Sequence, residues 1–242
     1  MPKTFHLISI FPEVFESYFG VGVLGRAQKK GLIQIKCYDL RDFAHDKHRS
    51  VDDTPYGGGP GMVMKIEPIF DCVQKIKNDI SQSIQSEKEI KKENPTKQGI
   101  LQKNKKTKVI LLSAKGKIFD QKKALQLSKL ENVIIICGRY EGVDERVARH
   151  VADEEISIGK FVISGGELAA MVVVDAVSRM IPGVLGNPNS LASESFLSSK
   201  EMDYPVYTRP EVFRSWRVPK ILLTGNHEKI AKWRKDHQKK IN

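Results

Sequence analysis

The sequence predicts an α/β fold: a mostly parallel sheet wrapped by helices, followed by a small helical unit at the C-terminal end. Three observations carry this. Short apolar runs recur through residue 163, as strands buried on both faces require. Amphipathic stretches separate them, as crossovers between parallel strands demand. Past Gly186 the composition turns small and polar, and only a modest apolar set follows.

Phe5 to Ile10 reads as the first strand, stopped at Phe11-Pro12. Ile33 to Tyr38, Val109 to Leu112 and Val133 to Cys137 read as the next three. Ile156 to Ile163 supplies a fifth, interrupted at Gly159. Helical patterns fall at Pro12 to Phe19, Leu24 to Lys30, Glu67 to Ile76 and Gln121 to Leu130. Residues 78–108 are rich in lysine and polar groups, and predict an exposed, mobile insertion. The domains expected are an α/β domain over 1–185, a flexible linker over 186–198 and a helical unit over 199–242. In the last, Pro210 to Arg214 and Asn226 to Lys239 are the predicted helices. Its apolar set, Val212, Ile221, Leu222, Ile230 and Trp233, is too small for an independent core. The stretch Lys229 to Lys235 is basic and carries Trp233, a pattern suited to RNA contact.

Composition narrows the function class. Forty Lys and Arg against 29 Asp and Glu give a formal charge of +11, which favours an acidic partner such as nucleic acid. Three distant cysteines, Cys37, Cys72 and Cys137, form neither a disulfide framework nor a zinc pair. His45 and His48 lie three apart, but no further metal ligands accompany them. No segment approaches the ~20 apolar residues of a membrane span, so a cytoplasmic protein is expected.

The glycine-rich segments carry the chemistry. Tyr56-Gly57-Gly58-Gly59-Pro60-Gly61 allows backbone N–H groups to approach a ligand closely, yet no Gly-Lys-Ser/Thr follows to make a nucleotide P-loop. The preceding Arg41 to Asp53 crowds cations, imidazoles and carboxylates suited to phosphate and base-edge contacts. Cys137-Gly138-Arg139-Tyr140-Glu141-Gly142, Ser157-Ile158-Gly159 and Ser164-Gly165-Gly166-Glu167 each end an apolar run. Ligands bind beyond the carboxyl ends of parallel strands, so these turns predict one pocket. No proper GxGxxG occurs, which disfavours a dinucleotide.

Taken with Ile10-Phe11-Pro12-Glu13, Gly25-Arg26-Ala27, Asp144-Glu145-Arg146, Ile181 to Gly186, Tyr207 to Val212 and Gly225-Asn226-His227, these motifs make the chain resemble bacterial tRNA (guanine-N1)-methyltransferases. The likeness spans nearly the whole chain outside 78–108. It implies an α/β fold with a deep trefoil knot (the SPOUT class), S-adenosylmethionine as methyl donor and a homodimer with shared active sites. It further implies methylation of guanine 37 at N1 in tRNAs with guanine at position 36.

The resemblance also implies residue roles. Ser113, Ala114, Gly138, Tyr140, Glu141, Gly142, Ser157, Ile158, Gly159, Lys160, Phe161, Val162, Ile163 and Gly165 fall at cofactor positions. His48, Asp52, Tyr56, Gly57, Gly58 and Gly59 fall at substrate positions. Arg179 matches the arginine that stabilises charge on O6. The general base is an aspartate in the family's Asp-Ser-Phe; here Glu194-Ser195-Phe196 stands there, so Glu194 is the expected base. Ala114 and Ala169 replace usual prolines. Magnesium accompanies the family's reaction, but no carboxylate cluster in the sequence identifies its ligands. Two alternatives stay open: a non-catalytic or impaired RNA-binding homologue, and a methyltransferase of the same class with another RNA target.

Overall fold

Val133 to Ile136 are each fully buried, and their strand explains why the run is unbroken by polar residues. A parallel strand at the middle of a sheet is covered on both faces. The computed structural model describes residues 2–92, 107–186, 201–202 and 204–240. The described chain divides into two compact units, Met1–Gly186 and Asn187–Asn242.

In the first unit, β1 (Lys3–Ser9), β2 (Ile33–Asp39), β5 (Thr107–Ile118), β6 (Asn132–Cys137) and β7 (Glu154–Ser157) form one sheet, ordered β2-β1-β6-β5-β7. Every pairing in it is parallel. Two short strands, β3 (Asp52–Asp53) and β4 (Val63–Met64), pair antiparallel and bracket the glycine-rich loop. Side chains alternate across each strand. Ile8, Val109, Leu111, Ile134 and Ile136 meet Ile69, Cys72, Val73 and Ile76 of α3 (Ile66–Lys92), with Val147 of α5 (Glu145–His150). The opposite face is covered by α6 (Gly166–Arg179), which packs on β1, β5, β6 and α4 (Gln121–Ser128). Helices α1 (Val14–Phe19) and α2 (Gly22–Lys29) complete the crossover from β1 to β2.

Several expectations need correcting. Helix α3 does not end near Ile76 but continues to Lys92, so 78–92 is helix rather than a mobile insertion. Residues free of glycine and proline, rich in Lys, Glu and Gln, favour a helix whatever their polarity. The Lys75–Asp79 pair, 2.6 Å apart, supports the turn where the change was expected, and Ile80 packs against the core. Residues 93–106 of that stretch lie outside the described residues, and Thr107 and Lys108, expected in the insertion, begin strand β5. Strand β5 extends past Leu112 to Ile118, and β7 stops at Ser157 instead of reaching Ile163. The Ser157 hydroxyl donates to Gly159 O at 2.9 Å and turns the chain there.

In the second unit, Pro210 to Arg214 is not helical. Val212–Phe213 (β9) pairs with Trp216–Arg217 (β10) around Arg214, whose φ is 54°. Glu201–Met202 (β8) pairs with Lys239–Lys240 (β11). The helix expected from Asn226 is present as α7 (His227–Asp236), with the Asn226 side chain accepting from Lys229 N at 3.0 Å. Trp233 stacks on His237 at 4.0 Å and approaches Tyr207, while Arg234 lies over the Tyr204 ring.

Candidate active site

Three segments, the bulge inside β5 after Leu112 and the turns that leave the carboxyl ends of β6 and β7, converge on a cavity of about 420 Å³. That lies within the ~300–1,000 Å³ of small-molecule sites. Ser113 and Ala114, then Gly138, Tyr140, Glu141 and Gly142, then Ser157, Ile158, Phe161, Val162, Ile163 and Gly165 all line it. Gly159 and Lys160 do not, although they share the third turn. Apolar walls come from Val63, Leu111, Leu112, Ile156 and Ala169.

Close backbone approach explains two of the glycines. A Cβ on Gly116 would lie 2.5 Å from Ile156 N, and one on Gly166 would lie 2.8 Å from Cys137 Cα. Only glycine lets β5 resume pairing with β7 after the bulge between Leu112 and Lys117, or lets α6 begin against the end of β6.

The cavity is joined to the predicted substrate residues through hydrogen bonds. Glu141 N donates to Met62 O and Met64 N to Gly142 O, each at 3.0 Å, so the glycine-rich loop ends against the second turn. Tyr140 is a non-glycine residue at φ 60°, a costly backbone state typical of functional turns. Burial, then the nearby Asp52 carboxylate and its hydrogen bond, raises the Tyr140 phenol above its ordinary pKa, with Arg41 opposing. Tyr56, Gly57, Gly58, Gly59 and His48 are exposed. Hydrogen bonds from Ser50 N and Oγ to Asp46 shape the loop around His48, and they hold the Asp46 carboxyl below its usual range.

Arg179 is the last residue of α6, a helix whose first residues line the cavity. Thirteen steps of the helix, at ~1.5 Å each, put its Cα about 20 Å from Gly166. It is not among the lining residues. Glu194, with the linker residues 187–198, lies outside the described residues.

Beside the third turn lies a charged cluster that no sequence motif marks. Glu167, 2% exposed, accepts from Ser9 Oγ at 2.6 Å and from Arg139 Nε at 2.9 Å. Arg139 also lines the cavity, donates to Ser164 O at 3.3 Å and lies over the Phe11 ring at 4.8 Å. The available signal was Glu167 itself, a lone carboxylate heading the apolar stretch Leu168 to Val174. Among the described residues, no group of three or more His, Cys, Asp and Glu side chains could hold a metal ion. No helix among them is long and apolar enough to cross a membrane.

The family described as "tRNA (Guanine-1)-methyltransferase TrmD" matches residues 3–241. The tRNA (guanine-N(1)-)-methyltransferase of Dictyoglomus turgidum is 51% identical over 229 residues, covering 95% of this chain and 82% of that protein. The same-named protein of Dehalococcoides mccartyi is 48% identical over 229 residues, covering 95% and 83%. The crystal structure of tRNA (m1G37) methyltransferase from Aquifex aeolicus superposes with a TM-score of 0.74 at 39% identity, covering 98% of this chain and 89% of that one. With a family match over nearly its whole length and relatives near half identity, this chain belongs to the tRNA (guanine-1)-methyltransferase family.

Proposed function

We propose that this protein transfers the methyl group of S-adenosylmethionine to N1 of guanine 37 in tRNAs that carry guanine at position 36. The observation that carries the reading is the cavity formed by the β5 bulge and the turns after β6 and β7 in a chain of this family. Its residues fit the cofactor: glycine-rich turns offer backbone donors and acceptors, and the apolar walls suit a purine. Ser113, Ala114, Gly138, Tyr140 to Gly142, Ser157, Ile158, Phe161 to Ile163 and Gly165 would hold it, with Gly159 and Lys160 shaping the third turn. Bound there, S-adenosylmethionine supplies an electrophilic methyl group on a sulfonium.

Guanine N1 is protonated at neutral pH and must lose that proton to become nucleophilic. Glu194 takes it as general base, and Arg179 stabilises the charge that grows on O6. Asp52, His48 and the loop Tyr56 to Gly59 bind the RNA beside the cofactor turn. The separation of about 20 Å between Arg179 and the cavity end of its own helix supports a homodimer in which Arg179 serves the partner's pocket. Exposed apolar side chains support the same reading: Val21 between α1 and α2, and Leu168 and Val172 on α6, which packs against α1 where Tyr18 donates to Asp175. The basic, aromatic second unit would clamp the RNA, and the protein would act in the cytoplasm. Magnesium, implied by the resemblance, has no ready ligand cluster among the described residues, and no step is assigned to it.

The test is methyl transfer from labelled S-adenosylmethionine to unmodified tRNA by wild type, Glu194→Gln and Glu194→Asp. Activity in wild type and its loss in Glu194→Gln support the reading. An inactive wild type with an active Glu194→Asp would instead mark the impaired homologue. Methylation of another RNA position would overturn the assigned target.

A further inference from the structure

We propose that Glu167, backed by Ser9, is a positioning residue that fixes Arg139 as the cavity's anchored cation for an anionic oxygen of a bound ligand. The inference rests on the proposed function and adds residues that reading does not use. Glu167 is almost fully buried, and a buried carboxylate must be paired. Its two oxygens are divided. Oε1 accepts from Ser9 Oγ at 2.6 Å, and Oε2 accepts from Arg139 Nε at 2.9 Å.

Ser9 is itself fully buried at the end of β1, and its Oγ also accepts from Phe11 N at 2.9 Å. The carboxylate is therefore tied to the sheet as well as to α6. Arg139 is gripped from four sides: Glu167 at Nε, Ser164 O at Nη1, the Phe11 ring below, and the Gly165 backbone, where a Cβ would lie 2.1 Å from Nε. These bonds engage Nε and Nη1, and a guanidinium fork has further N–H donors. The side chain stays about a quarter exposed and lines the cavity. A cation so constrained is preorganised, so little is lost on meeting an anion.

Two sources of that anionic oxygen share the chemistry: the carboxylate of the cofactor's methionyl group and a phosphate of the RNA. Equilibrium binding separates them without requiring turnover. Glu167→Gln, Arg139→Gln and the double variant are titrated with S-adenosylmethionine by calorimetry, and with tRNA in the presence of S-adenosylhomocysteine. Glu167→Gln should weaken one ligand by about tenfold or more and leave the other within about twofold. A loss confined to S-adenosylmethionine identifies the carboxylate, and one confined to tRNA identifies the phosphate. If Glu167 acts through Arg139, the double variant is no weaker than Arg139→Gln alone. Additive losses, equal weakening of both ligands with a fall in Tm, or wild-type binding in Glu167→Gln would each overturn the proposal. An inactive wild type that still shows the coupled binding loss would count against the proposed reaction and leave the positioning role standing.

Discussion

Consider Gly116→Ala. Gly116 has no left-handed φ, so the substitution tests space alone. The new Cβ would sit 2.5 Å from Ile156 N, 2.6 Å from Ile156 C and 2.7 Å from Glu155 C, all backbone atoms of β7. Ordinary contact begins at 3.4 Å, so β7 must retreat by about 0.9 Å. No flexible side chain can absorb that movement. Overpacking of this kind costs about 1–3 kcal/mol, or roughly 3–10 °C in Tm for a chain of this size. The same movement carries Ile156, Ser157 and Ile158 away from the cavity. Misplacement near 1 Å can cost on the order of a hundredfold, so S-adenosylmethionine affinity should fall by about ten- to a hundredfold. Calorimetric titration and a thermal melt read both effects. Gly186→Ala is the control, since nothing lies within 4 Å of its Cβ position. If Gly116→Ala binds within twofold of wild type at an unchanged Tm, the claim that β5 and β7 together shape the pocket fails.

Three further predictions follow from particular residues. Burial lowers the His6 imidazole from 6.5 to about 4, so its neutral form stabilises the fold above pH 6.5. That contribution, about 3 kcal/mol, is lost as pH falls from 6.5 toward 4. His6→Gln should flatten this part of a urea-unfolding profile, and parallel profiles would contradict the assignment. Burial pushes the Glu154 carboxyl up, but hydrogen bonds from Lys108 at 2.5 Å and Lys123 at 2.7 Å outweigh it and leave the pKa below its ordinary value. The stabilisation is present above the unfolded carboxyl's pKa and lost as pH falls through the folded one. Glu154→Gln should therefore cost on the order of 2 kcal/mol at pH 7, with the difference shrinking at acid pH; a constant difference would refute the ion-pair account. Finally, Arg179→Ala chains mixed with Gly116→Ala chains should regain activity that neither variant shows alone, assayed at S-adenosylmethionine too dilute to load Gly116→Ala, because in the proposed dimer one intact pocket then receives an intact partner's Arg179. No regain would place Arg179 in its own chain's site.

What was legible in the sequence follows from where the physics is local. Val133 to Cys137 announced a strand because burial on both faces leaves no polar position. The pocket turns announced themselves through glycine at strand ends, and Gly138, Gly142 and Gly165 do line one cavity. The second half of β5 has no signal in the sequence because only Lys117 and Ile118 pair with β7, after a bulge that closes on Gly116 and without an apolar run. Helix α3 runs on beyond Ile76 because its later residues keep helix propensity after the apolar pattern fades, and polarity alone does not reveal that. The Ser9–Glu167–Arg139 cluster joins residues up to 158 positions apart, which no local pattern exposes. Likewise the resemblance marks Arg179 for a role, while its distance from the cavity end of its helix emerges only from the length of α6.

The most direct test of the central claim is the identity of the methylated nucleoside. Wild-type protein is incubated with labelled S-adenosylmethionine and tRNA transcripts carrying guanine 37 with either guanine or adenine at position 36, and the RNA is digested for nucleoside mass spectrometry. The account predicts 1-methylguanosine, strongly favoured in the transcript with guanine 36. Label on a ribose or another base, or no transfer to either transcript, would contradict it.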